Sequence, residues 1–151
     1  MGIEEAIARI INPKLVKAAD HIISYLESGD IDSAINEITI QIEKNPTNPI
    51  YRLIRAKINI KYSENEAESY LSALNDLETI DLQNRRTKRI INGLKDSKQI
   101  KAEISAFSSY GYIIRGQEDK AVESFFVGKF ARAHSFFNIL ILTARAYCFI
   151  L

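Results

Sequence analysis

Apolar residues recur every three or four positions along most of the chain, in blocks separated by Gly, Pro, Asn and Asp. That spacing lines one side of an α-helix. A short helix is expected over about residues 3–11. The next block, Leu15, Val16, Ala19, Ile22, Ile23 and Leu26, follows Asn12-Pro13, a capping side chain placed before a proline at the first helical position, and closes at Gly29. Asp30 caps the next helix, which carries Ile31, Ala34, Ile35, Ile38 and Ile42 and breaks at Asn45-Pro46. Asn48-Pro49 repeats the start signal and opens a helix through Ile50, Leu53, Ile54 and Ile58 to about Tyr62. Ser63-Glu64-Asn65-Glu66 fits a capping box with Ser63 as the cap, ahead of a helix through Leu71, Leu74, Leu77 and Ile80. Two stretches, Ile38 to Ile42 and Ile58 to Ile60, also alternate as strands do. Helix is preferred because the caps bracket segments far longer than the usual strand of about 5–6 residues, and because proline is excluded from paired central strands.

Composition narrows the class. At 151 residues, 46% hydrophobic and 26% charged, the chain suits one domain with a substantial core. Six Gly and three Pro leave little turn chemistry for a many-stranded fold. The single Cys forms no internal disulfide, and no basic-then-apolar leader opens the sequence, so a reducing, cytoplasmic setting is expected.

An internal repeat organises these elements. Tyr25, Gly29, Ala34 and Ile38 have counterparts Tyr112, Gly116, Ala121 and Phe125, all displaced by the same 87 residues. Ala73 and Leu77 mark a looser copy between them. A small residue is wanted where two helix axes approach to about 8–10 Å, and a larger one where the gap widens.

This pattern resembles the tetratricopeptide repeat family, whose unit is a helix-turn-helix of about 34 residues. The resemblance implies an all-α fold, a right-handed solenoid of about three helical hairpins within a single domain over residues 1–151. Its repeats cover residues 15–48, 49–84 and 102–135. The first copy fits best, with Pro46 at its end, whereas the second lacks the turn glycine and the terminal proline. The third adds Gly128 at a second small position. Because 87 exceeds two units of about 34 by 19 residues, an extra helix is expected within 85–101, running from Arg85 to Lys95 with Ile90, Ile91 and Leu94 as its apolar stripe. Asp96-Ser97 is expected to cap the helix after it.

The resemblance also implies where a partner binds. In such solenoids the first helix of each hairpin lines a concave groove. By repeat position the lining is Val16, Ala19, Ile23 and Leu26, then Ile50, Leu53, Lys57 and Ile60, then Ala106, Tyr110 and Ile113. The alternative for these side chains is packing between helices. The positions that hold a chaperone tail's carboxylate in heat-shock co-chaperones of this family read Ala19, Ile23, Ile54, Glu103 and Phe107, and this set cannot form the clamp. An apolar peptide or a partner's amphipathic helix suits the groove better. The expected function is a non-catalytic adaptor or scaffold. A chaperone for a client without the clamp, as in the three-repeat chaperones of secretion systems, and a self-associating subunit of a larger complex are the alternatives.

From Phe136 to Leu151 the chain is predominantly apolar, with Arg145 as its single charge. This run falls short of the roughly 20 residues that span a bilayer, so a membrane partner is not expected. Residues 136–151 are read as a helix that seals the stack, docks a partner or forms a homodimer. Cys148-Phe149-Ile150-Leu151 fits a prenylation signal, with Cys148 as the lipidated residue and a buried cysteine as the alternative.

Charge is uneven. Residues 85–101 hold seven basic side chains against Asp96, a net +6, so within a whole-chain charge of +1 the remainder carries −5. Arg85, Arg86, Lys88 and Arg89 form a basic patch, read as a solvated helix face, an anionic-partner site or a nuclear-localisation run. Nucleic-acid binding is not expected, since no aromatic residue interleaves with these charges. Two histidines, His21 and His134, and one cysteine are too few for a histidine- or cysteine-based metal site, and phosphate-binding, dinucleotide and serine-nucleophile motifs are absent from the sequence. No cofactor and no catalytic residue is expected.

Overall fold

The computed structural model describes residues 16–62, 64–94 and 96–129, with side chains from residue 19 to residue 125 of these. Among the described residues the chain forms seven α-helices and no strand: α1 Val16–Glu27, α2 Ile31–Lys44, α3 Pro49–Tyr62, α4 Glu66–Leu77, α5 Arg85–Asn92, α6 Ser97–Ile114 and α7 Glu118–Lys129. The helix expected over 3–11, the apolar run 136–151 and Cys148 lie outside the described residues.

Local signals set most of the boundaries. Gly29 adopts φ +78°, a conformation that side chains with a Cβ disfavour, and ends α1. Its N–H donates to the Leu26 carbonyl at 3.2 Å and the Asp30 N–H donates to the Tyr25 carbonyl at 2.8 Å. This pair of bonds satisfies carbonyls that the end of the helix would otherwise leave open. The Asp30 carboxylate then accepts from the Ser33 N–H at 3.1 Å, capping α2. The bonds from Ser33 hold the Asp30 carboxyl below its usual 3.8. Pro49 opens α3 as expected, with the Asn48 side chain accepting from the Ile50 N–H. At α4 the cap is Asn65 in place of Ser63: its side chain accepts from the Glu68 N–H at 3.2 Å, which moves the helix start to Glu66. That helix ends at Leu77, so Ile80 is buried from the following loop. The basic helix α5 starts at Arg85 as expected but stops at Asn92, three residues short of Lys95.

Packing runs in chain order, α1 on α2, α2 on α3, α3 on α4, then α4 on α6 and α6 on α7. The short α5 sits to one side of this series, against α3 and α6. The main core draws Ile22, Ile38, Leu53, Ile54 and Ile58 from α1 to α3 and is closed by Ile91 of α5 and Ile100 and Ile104 of α6. A smaller cluster of Tyr70, Tyr110, Ile113 and Ala121 joins α4, α6 and α7, with the rings of Tyr70 and Tyr110 edge to face at 4.2 Å. Ala34 (0% exposed) and Ala121 (3%) are both buried, where a larger side chain would separate the paired helices.

Candidate functional site

The expected groove positions divide by burial. Ala19, Leu26, Ile50, Leu53, Ala106, Tyr110 and Ile113 are buried, Leu53 completely, and all are enclosed by neighbouring helices. These seven therefore have a packing role here. Ile23 and Ile60 are half-buried, packed against the core with part of their surface in solvent. Lys57 keeps 15% of its side chain exposed and pairs with the Glu103 carboxylate at 2.5 Å, tying α3 to α6. Val16 begins α1, and its side chain lies outside the described residues.

Three polar joints connect the helices around these positions. Arg55 of α3 forks onto Asp76 of α4, with Nε to Oδ2 at 2.8 Å and Nη2 to Oδ1 at 2.6 Å. Its Nη1 donates to the Thr39 hydroxyl of α2 at 3.0 Å. Three successive helices are thus fixed by one guanidinium, and the hydrogen bond to Asp76 raises its pKa further above the ordinary value. Arg52, one turn earlier, reaches the same carboxylate at 3.6 Å. Farther along, Arg115 donates to both Glu78 oxygens and to Asn75, joining the end of α6 to the end of α4. The neighbouring Tyr112 phenol is pushed up by burial and by Glu78.

Arg85, Arg86, Lys88 and Arg89 fall on α5, all exposed and without an ion pair among the described residues. The same helix buries Ile91 fully, so its apolar side faces the core and the charges occupy the rest of its circumference. Among the described residues no group of three or more His, Cys, Asp or Glu side chains could hold a metal ion. No described helix is long and apolar enough to cross a membrane.

Sequence reasoning missed two features. Asn84 caps α5 by accepting from the N–H groups of Arg86 and Thr87 at 2.9 and 3.2 Å, a role that the Asn immediately before the basic run could have suggested. Gly111 sits inside α6 where α4 passes closely, and an added Cβ would lie 3.0 Å from Leu74 Cβ and 3.1 Å from the Tyr70 carbonyl oxygen. A glycine within a helical pattern is the one sequence signal for such an approach.

Comparison of the chain with protein-family models, with curated proteins and with solved structures gives no match.

Proposed function

We propose that the chain is a non-catalytic protein-interaction module, a right-handed stack of three tetratricopeptide-like hairpins with α5 inserted between the second and third. One observation carries this reading. The turn after α1 and the turn after α6 use the same hydrogen bonds at the same offset. Asp30 N–H to Tyr25 O at 2.8 Å is matched by Gln117 N–H to Tyr112 O at 2.8 Å, and Gly116 repeats the positive φ of Gly29 at +76°. The duplicated turn, with Tyr, Gly and Ala at matching positions on either side of it, supports a repeated hairpin, the unit from which helical solenoids are built, and solenoids act by presenting surface to other proteins.

The partner in this proposal is an apolar peptide or an amphipathic helix. Ile23 and Ile60 make contact with it, and Lys57 lies one turn before Ile60 on α3. The seven buried positions hold the helices that display these three. Burial of apolar surface supplies the affinity at about 25 cal/mol per Å², and a preformed surface limits the ordering cost.

The test is affinity purification of the full chain from its native organism, comparing wild type with Ile23→Glu and Ile60→Glu. Each variant is expected to lose the captured partner while its circular-dichroism melt falls far less than that of Leu53→Glu. Leu53→Glu serves as the unfolding control. A partner retained by both variants, or melts lowered as far as that of Leu53→Glu, would overturn the assignment of these side chains.

A further inference from the structure

The basic patch adjoins a cleft that the interaction surface above does not use. About 290 Å³ in volume, it opens between the start of α3, the α4–α5 loop and the first turn of α5, and its wall includes Thr47, Arg52, Asp81, Asn84, Arg86 and Thr87.

The positive charge there is under-compensated. Both oxygens of Asp76 are already taken by Arg55, leaving Arg52 at 3.6 Å from one of them, so the trio of Arg52, Arg55 and Asp76 carries a net positive charge. Arg86 has no ion pair among the described residues, and Asp81 is the single acid in the cleft wall. Arg85, Lys88 and Arg89 add three cations on the same helix, whose first turn contains no acidic residue. Arg85 and Arg89 are spaced i,i+4, a like-charge repulsion that destabilises a helix, and cations at a helix N-terminus oppose its dipole. Asn84 already closes the Arg86 and Thr87 amides of that terminus, so binding falls mainly to side chains.

We infer that this cleft binds a phosphorylated side chain of a partner polypeptide, with Arg52 and Arg86 as its guanidinium donors. A phosphate monoester brings a charge of about −1.5 to −2 and three acceptor oxygens, which match two forked cations and the Thr47 and Thr87 hydroxyls better than the two oxygens of one carboxylate do. Arg85, Lys88 and Arg89 then face acidic residues flanking the phosphorylated position. This inference rests on the cleft alone and is independent of the groove proposed above.

The test uses the full chain and a fluorescein-labelled short peptide with one phosphoserine between glutamates, followed by anisotropy. Comparisons are the unphosphorylated peptide and competition by inorganic phosphate. The phosphopeptide is expected to bind at least tenfold more tightly than its unphosphorylated form. Arg86→Ala, at an exposed position, should lower that affinity at least tenfold with an unchanged melt, and Arg52→Ala should lower the affinity by as much. Lys98→Ala, on α6 outside the cleft, should change it less than twofold. Equal affinity for the two peptides, or an Arg86→Ala variant that binds as wild type does, would overturn the site. Inorganic phosphate competing as strongly as the phosphopeptide would overturn the polypeptide source, leaving a small-anion site.

Discussion

The turns after α1 and α6 are each closed by a glycine in the left-handed region and two main-chain hydrogen bonds, with Asp30 capping α2 and the Ser109 hydroxyl donating to the Ala121 carbonyl between α6 and α7. The middle of the molecule has no such glycine. α4 leaves through Glu78 in a right-handed conformation, the chain travels to Asn84 before helix resumes, and α5 packs on α3 and α6. What holds α2, α3 and α4 in place of a tight glycine turn is a side-chain network, Arg55 bonded to Asp76 and Thr39. Where the backbone reverses at once, the turn itself sets how the two helices meet. Where it does not, a charged network joins the helices, and the basic helix α5 and a cleft lie beside it.

Substitutions in the two regions should therefore fail differently. Arg55→Leu removes the fork and leaves the Asp76 carboxylate, 4% exposed, with Arg52 at 3.6 Å as its remaining ion-pair partner. A loss of about 3 kcal/mol is expected in chemical denaturation. Adding Asp76→Leu should return much of it, since the buried charge is gone. A single variant as stable as wild type would show that the network is not what holds the middle.

Gly111→Leu acts at the joint between the middle and the second hairpin. Its new side chain meets Leu74 and the Tyr70 carbonyl at about van der Waals limits or closer, and overpacking of this kind costs about 2 kcal/mol. Proteolysis should then open α6 and α7 before α1 and α2. Cleavage first within α1–α2 would place the weak joint elsewhere.

The smallest effect separates the two hairpins from each other. Asp30 follows the first glycine and Gln117 the second, so a titrating carboxylate holds this position in the first turn alone. Its folded pKa is depressed, so its contribution is complete above the usual 3.8 and fades as pH falls through the lower folded value. The melting temperature of wild type should exceed that of Asp30→Asn at neutral pH, with the gap closing below pH 3.8. Gln117→Asn should show no such pH dependence. A gap that widens on acidification would contradict the sign.

Local signals were legible in the chain. Gly29, Asp30, Pro49 and Gly116 each specify a backbone conformation or a cap by themselves, and the structure uses all four as the spacing predicts. Ser63 and Asn65 are both good capping residues two positions apart, and sequence alone does not decide between them. The candidate surface was less legible for a physical reason. Apolar periodicity marks the side of a helix that avoids water, and it reads the same whether that side meets a neighbouring helix or a partner, so Leu53 and Ile23 were indistinguishable until their burial was known. Arg55 with Asp76, and Lys57 with Glu103, pair residues far apart in the chain, and no local pattern announces such contacts.

Equivalence of the two glycine turns is the claim on which the repeat reading stands, and the stabilities of Gly29→Ala, Gly116→Ala and Gly93→Ala test it most directly. Gly29 and Gly116 both have positive φ with open space around the missing Cβ, whereas Gly93 has φ −74°. Urea denaturation should show each turn variant losing about 1 kcal/mol from backbone conformation alone, by equal amounts, and Gly93→Ala losing nothing. A neutral alanine at either turn, or losses that differ widely between the two, would contradict the proposal that α1–α2 and α6–α7 are copies of one unit.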